Sequence, residues 1–332
     1  MDDVIRDRFT FSDFRLRSGE VLPEVTIAYS TRGRLAPDGR NAVLVTHGYT
    51  SGHQMIEPTG TSSEGSWTTL VGPGAPIDTE RNYVVASNML GSSFGSTNAA
   101  SVDPRTGKRY GSRFPKIALQ DIVAVQHQLL RYLGVTHLRA VVGPSYGGFQ
   151  AFQWGVSYPD FMDGIVPVVS APKARLNMTA DTRARFERDP NWNGGDYYET
   201  PAGMRDTMIA LRMDTLRRYG MSDEATIRRA AEQWADVFDA NSLLILGRAG
   251  EAYDVTDQLH RIKAPVLYVL SRTDALFPPE RAPAVMQALR DAGVDAAYFE
   301  IDSDKGHLAS GADAAKWAPA LREFMRRVGA AA

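Results

Sequence analysis

The sequence predicts an α/β fold: a mostly parallel sheet flanked by helices and interrupted by a helical insertion. Three observations predict it. Short, near-continuous apolar runs recur along the chain, as strands buried on both faces require. Amphipathic stretches of helical period separate several of these runs, which is the alternation of βαβ units. From about residue 172 to 260 the strand signal fades and helical patterning continues.

Taken in order, the first thirty residues differ from the rest. Phe9-Thr10-Phe11 and Val25-Thr26-Ile27-Ala28-Tyr29 predict two antiparallel strands joined through Ser18-Gly19-Glu20, an edge that mixed sheets often carry. Ala42 to Thr46 and Tyr83 to Ser87 read as buried strands. Leu119 to Leu133 sets Ile122, Val125, Leu129 and Leu133 on one helical face. Leu138 to Val142 and Gly164 to Val169 are the next strands. In the insertion, Gly203 to Arg218 carries Met204, Met208, Leu211 and Leu216 on one face. That face reads first as helix packing and, more pointedly, as the lining of an acyl pocket. Ser222 is placed to cap a helix through Ile227, Ala231, Trp234 and Phe238, with Asp223 and Glu224 in its first turn. Val266 to Leu270 and Ala297 to Ile301 complete the sheet. The expected organisation is a core of residues 1–171 and 261–332 with a lid of residues 172–260.

Composition narrows the function. Lys and Arg number 37 and Asp and Glu 39, a net charge of −2, so nothing draws the chain to nucleic acid or an anionic membrane. The absence of cysteine excludes disulfides, thiolate–zinc sites, iron–sulfur clusters and cysteine nucleophiles. There is no H-E-x-x-H, no G-x-G-x-x-G after a strand and no G-x-x-x-x-G-K-[ST], so neither metal nor nucleotide cofactor is expected. Gly72-Pro73-Gly74 reads as a turn. No run reaches about 18 apolar residues, and the start from Met1 to Arg8 lacks a basic-then-apolar order. A cytoplasmic protein acting on a small acyl substrate is the expectation.

The strongest chemical signal is Gly143-Pro144-Ser145-Tyr146-Gly147. G-x-S-x-G alone says little, but this copy follows a strand and opens a plausible helix, the context of a nucleophile elbow. Gly91-Ser92-Ser93-Phe94-Gly95 matches the same pattern, yet the residues after it have no helical period and lead to Pro104. Ser145 is therefore the candidate nucleophile and Ser93 is not. A serine needs a base, and the base an orienting acid. Two histidines follow Ser145. His260 precedes a strand, whereas His307 follows one, at the carboxyl end where sites in such sheets lie. For the acid, Asp274 follows the strand ending at Leu270, while Asp302 and Asp304 are too close to His307 in sequence to reach its far nitrogen well. The oxyanion would be met by the backbone N–H groups of Tyr146 and of Tyr49, in the loop His47-Gly48-Tyr49. His47 reads as structural, and His127 and His137 as surface or packing residues.

Much of the chain resembles the homoserine O-acetyltransferase family of α/β-hydrolase-fold enzymes. The matching segments include Gly65-Ser66-Trp67, Asn88-Met89-Leu90-Gly91, Gly95-Ser96-Thr97, the elbow, Phe238-Asp239-Ala240-Asn241-Ser242, Asp274-Ala275-Leu276-Phe277-Pro278 and Gly306-His307. The resemblance implies the α/β-hydrolase fold, a triad of Ser145, Asp274 and His307, a helical lid, acyl transfer through a serine ester and a homodimer formed through the lid. It also has departures. Asn98-Ala99 stands where the family usually has Gly-Pro. Leu308 stands where an Asp usually follows the base, and Thr207-Met208 where an Ala-Arg pair is usual. An amino-acid substrate needs charged partners in a buried site. Arg205 or Arg212 is the candidate to supply one. On these departures the first expectation is a serine ester hydrolase; the alternative is acetyl transfer from acetyl-CoA to L-homoserine or a related hydroxyl. A non-catalytic binder would have no need of serine, base and acid together.

Overall fold

Eight runs of extended chain pair into one sheet in the computed structural model, which describes residues 3–58, 67–174, 179–201 and 203–330. They are β1 (Ile5–Arg15), β2 (Val21–Arg32), β3 (Ala42–Thr46), β4 (Tyr83–Ser87), β5 (Leu138–Pro144), β6 (Ile165–Val168), β7 (Val266–Ser271) and β8 (Ala296–Ile301). Their order across the sheet is β1-β2-β4-β3-β5-β6-β7-β8. The β1–β2 and β2–β4 pairs are antiparallel, and every pair from β4 to β8 is parallel. The two N-terminal strands are longer than their apolar centres predicted. Their register runs from Ile5 opposite Thr31 to Arg15 opposite Val21.

The interior strands β3, β6 and β7 are buried throughout, which is why they read as unbroken apolar runs. Neighbouring residues point to opposite faces: Val141 joins one core cluster and Val142 the other. The first cluster packs under α1 (Leu119–Tyr132) and α2 (Tyr146–Ser157), through Ile122, Phe149 and Trp154. It also takes Leu289 of α7 (Ala282–Asp291), which follows β7. The second packs under α8 (Ala314–Ala330), through Trp317 and Leu321.

Between β6 and β7 the described chain is helical: α3 (Thr179–Glu187), α4 (Arg205–Arg218), α5 (Glu224–Ala235) and α6 (Ala240–Glu251). A bridge between Lys173 and Asp254, with an ion pair at 2.6 Å, ties the two ends of this insertion together. Two expectations need correction. The cap of α5 is Asp223, whose carboxylate accepts the Thr226 N–H at 2.9 Å, and not Ser222. The helix does not continue through Phe238. It ends at Ala235, and Asp239 starts α6 by accepting the Ser242 N–H at 2.8 Å. Met204 and Met208 are core residues, as the packing reading of that face held.

Candidate active site

Ser145 stands between β5 and α2 with φ 56° and ψ −120°, a conformation that side chains rarely adopt. The turn is forced by the close passage of two backbones. A Cβ on Gly143 would lie 2.0 Å from Thr46 Oγ1, and one on Gly147 2.3 Å from the Thr46 carbonyl oxygen. Only glycine fits at either position. The Ser145 N–H donates to the Val168 carbonyl at 2.8 Å, and its own carbonyl accepts the Ser170 hydroxyl at 2.8 Å. The serine is thus strapped to β6 while its side chain faces a cavity. Ser93, by contrast, is buried in a loop where its hydroxyl accepts the Asp239 N–H at 2.9 Å.

Asp274 follows β7 and His307 follows β8, so both lie at the carboxyl ends of the two parallel strands next in order after β6. Asp274 Oδ2 accepts from His307 Nδ1 at 2.8 Å, with both side chains fully buried. Its other oxygen accepts the N–H groups of Leu276 at 2.8 Å and Phe277 at 3.2 Å. Burial alone would raise this carboxyl, but His307 and the two amides outweigh it and hold it below the usual carboxylate range. His307 Nε2 is buried and has no hydrogen-bond partner among the described residues. The His307 ring packs against Tyr219 (4.9 Å between centroids) and Phe277 (5.7 Å). Those two rings line the same cavity as Ser145. Ser145 and His307 themselves are not hydrogen-bonded; such contacts often close only when substrate is bound. The rival groups lie elsewhere. Asp302 pairs with Arg272 and Asp304 with Lys305, all of them exposed, and His260 is exposed at the entry to β7.

Tyr146 is the first residue of α2, so its N–H has no acceptor within the helix. Tyr49 lies in the loop after β3, next to Gly48. His47 fixes that loop. The Met89 N–H donates to its Nε2 at 3.1 Å, and its Nδ1 therefore donates to the Gly48 carbonyl at 2.8 Å. Burial pushes His47 down to about 4, so it stays neutral and structural.

The cavity measures about 40 Å³. Its wall is largely aromatic, from Tyr49, Tyr146, Phe149, Tyr219 and Phe277, with Arg218 and Glu251 as its charged members. Arg212 is buried behind this wall: its guanidinium donates to Thr50 Oγ1 at 2.9 Å and lies over the rings of Tyr219 and Trp234. Arg205 is a correction. It is about half exposed and paired with Asp236 at 2.7 Å, away from the cavity, because it opens α4 on the solvent side. Thr207 donates to Asp189 and Met208 is in the core, so neither lines the cavity. Arg218 and Glu251 escaped the sequence reading. The one available signal was Gly247 and Gly250, both lining residues, since glycine inside a helix marks close approach. Among the described residues no cluster of three or more His, Cys, Asp or Glu could hold a metal, and no helix is long and apolar enough to cross a membrane.

Residues 41–311 match the family described as alpha/beta hydrolase fold. The homoserine O-acetyltransferase of Haemophilus influenzae (strain 86-028NP) is 38% identical, over 91% of this chain and 92% of its own length. That of Geobacter sulfurreducens is 34% identical, over 96% and 95%. The chain belongs to the homoserine O-acetyltransferase-like family of α/β-hydrolase-fold enzymes. Proteins of known structure superpose closely on this one. The homoserine O-acetyltransferase from Bacillus anthracis gives a TM-score of 0.87 at 23% identity, over 98% of both chains. The esterase E22 gives 0.84 at 25% identity, over 97% of this chain and all of its own. As a homoserine O-acetyltransferase-like α/β-hydrolase, this chain is an enzyme of acyl hydrolysis or O-acyl transfer.

Proposed function

We propose that the enzyme transfers an acetyl group from a thioester such as acetyl-CoA to the hydroxyl of a homoserine-like amino acid. The observation that carries this is sequence likeness over nine-tenths of the chain to proteins named homoserine O-acetyltransferase. This is the reading the sequence alone ranked second. Ser145 Oγ attacks the thioester carbonyl while His307 Nε2 takes its proton, and Asp274 holds the imidazole by its other nitrogen. The N–H groups of Tyr49 and Tyr146 meet the oxyanion. The thiol leaves with the proton from His307. The acceptor hydroxyl then gives its proton to His307, its oxygen attacks the acyl carbon, and Ser145 recovers its proton.

The size of the cavity supports a small acyl group. A water-sized group needs about 10–15 Å³ on this measure, so about 40 Å³ suits the three heavy atoms of an acetyl group. Its charges support a zwitterionic acceptor. Arg218 on the wall is a cation for a carboxylate, and Glu251 is an anion for an ammonium. In this reading residues 172–260 act as a lid that keeps water from the acyl-enzyme. Hydrolysis is the second reading, supported by the likeness to the esterase E22 and by apolar Leu308 next to His307.

Thiol release from acetyl-CoA, with and without L-homoserine, tests the proposal. Release that requires homoserine, and that Ser145→Ala abolishes, is the expected result. No release in either case, beside turnover of p-nitrophenyl acetate, would replace transfer by hydrolysis.

A further inference from the structure

Both candidate oxyanion residues are tyrosines, and the helical insertion grips both side chains. The Tyr49 hydroxyl donates to the Leu243 carbonyl, and the Tyr146 hydroxyl donates to the Leu246 carbonyl at 3.0 Å. Those carbonyls are three residues apart on α6, so they lie on one side of the helix. The two rings stack at 5.9 Å and 18°. Facing them on α6 are Gly247 and Gly250, again three apart. A Cβ on Gly247 would come 3.0 Å from the Tyr49 hydroxyl oxygen, and one on Gly250 2.8 Å from the Tyr146 ring. Glycine is disfavoured inside helices. Here it occupies the two positions where the tyrosines approach the helix.

From this geometry we infer that Tyr49 and Tyr146 are positioning residues. Their hydroxyls, anchored to α6, hold the backbone N–H groups of the same two residues where the oxyanion develops. The inference rests on the acyl-transfer reading above. An oxyanion donor acts only within about 2.7–3.1 Å of the charge. The peptide before Tyr49 belongs to a loop and can rotate unless its side chain is fixed. His47 fixes one end of that loop, and the Tyr49 hydroxyl fixes the residue itself. Tyr146 is held on one side by the elbow and on the other by Leu246. Burial pushes both phenols far above their ordinary range, so they remain neutral donors at any working pH. The insertion therefore sets the electrostatics of the site as well as covering it.

Tyr49→Phe and Tyr146→Phe in the full-length enzyme remove the hydroxyls and keep the rings. Turnover of p-nitrophenyl acetate, inhibition by methylboronic acid and thermal melting are measured on each. The expected kcat falls about tenfold in each variant, part of the 10²–10³ that loss of a whole donor costs. KM is expected to change by less than about twofold. The boronate, which binds Ser145 as a tetrahedral anion, weakens in parallel. A lower melting temperature with unchanged kcat and unchanged boronate inhibition would make the hydroxyls merely structural and overturn the inference. Gly250→Ala is the independent check. A methyl there presses on the Tyr146 ring, so the ring must shift and kcat should fall in an enzyme that is still folded. A folded Gly250→Ala enzyme with full kcat also overturns it. Ser145→Ala separates this from the parent reading. If that variant keeps its turnover, both fall. If it is dead while the tyrosine variants keep kcat, the positioning role alone falls.

Discussion

In the proposed transfer, Glu251 is the cavity carboxylate placed to meet the ammonium of the acceptor. Leu308 follows His307 and offers no charge, so an ammonium entering the cavity must find its carboxylate elsewhere. Glu251 lines the cavity, and its Oε1 already accepts the Thr179 N–H at 2.7 Å. Gln at this position can keep that hydrogen bond and lose only the charge. A hydrogen bond to a charged group contributes about 1.5–3 kcal/mol, or roughly 10- to 100-fold in binding. Glu251→Gln should therefore raise KM for L-homoserine at least tenfold and leave KM for 4-hydroxybutyrate, which lacks the ammonium, nearly as it was. Steady-state acetylation of the two acceptors measures this. An unchanged ratio would remove Glu251 from acceptor recognition. The positions of the candidates Ser145, Asp274 and His307 were legible in the sequence because each follows the end of a parallel strand. Glu251 and Arg218 were not, because they sit on insertion helices whose docking is set by contacts far away in sequence.

At the scale of elements, α6 is the least legible piece and the one the site leans on most. Its run Leu243-Leu244-Ile245-Leu246 is buried on every side, so it shows no amphipathic phase. What starts it is Asp239, whose carboxylate accepts the Ser242 N–H and meets the Tyr197 hydroxyl. Losing such a cap typically costs about 0.5–2 kcal/mol. Asp239→Ala should thus lower the melting temperature by a few degrees, while Asp239→Asn, which can still cap, should recover most of the loss. Because α6 carries the Leu243 and Leu246 carbonyls, kcat should fall with Asp239→Ala as well. An Asp239→Ala enzyme that melts and turns over like the parent would show that α6 needs no cap. The strands were easier for an opposite reason. Interior strands buried on both faces announce themselves by composition alone. β1 and β2 showed only their apolar centres, since β1 is largely exposed. Their full length comes from pairing with each other, which neither sequence declares.

For the whole molecule, two buried imidazoles tie stability to pH. His47 closes the loop after β3. His53 lies among Ser30 of β2, Glu57 and Arg6 of β1, with its Nδ1 2.7 Å from the Ser30 hydroxyl. Burial pushes each of them down to about 4, in His53 against the partly offsetting pull of Glu57. In the unfolded chain both would titrate near 6.5. Above that value both states leave the rings neutral, and the full contribution is present. Between about 6.5 and 4 the unfolded chain binds more protons than the native one, so stability falls as pH falls. A displacement of this size corresponds to about 3 kcal/mol per ring. Where both rings are charged in the unfolded state and neutral in the native one, they contribute a slope of about 2.7 kcal/mol per pH unit. Urea denaturation between pH 7 and 4.5 measures it. His53→Asn keeps a donor for Ser30 and removes the titration, so it should lower the slope by about 1.4 kcal/mol per pH unit. The same slope in parent and variant would mean that His53 is already protonated in the native protein. In that case the cluster linking the β1–β2 hairpin to the 53–57 segment would be held by an imidazolium beside Glu57 rather than by a neutral ring.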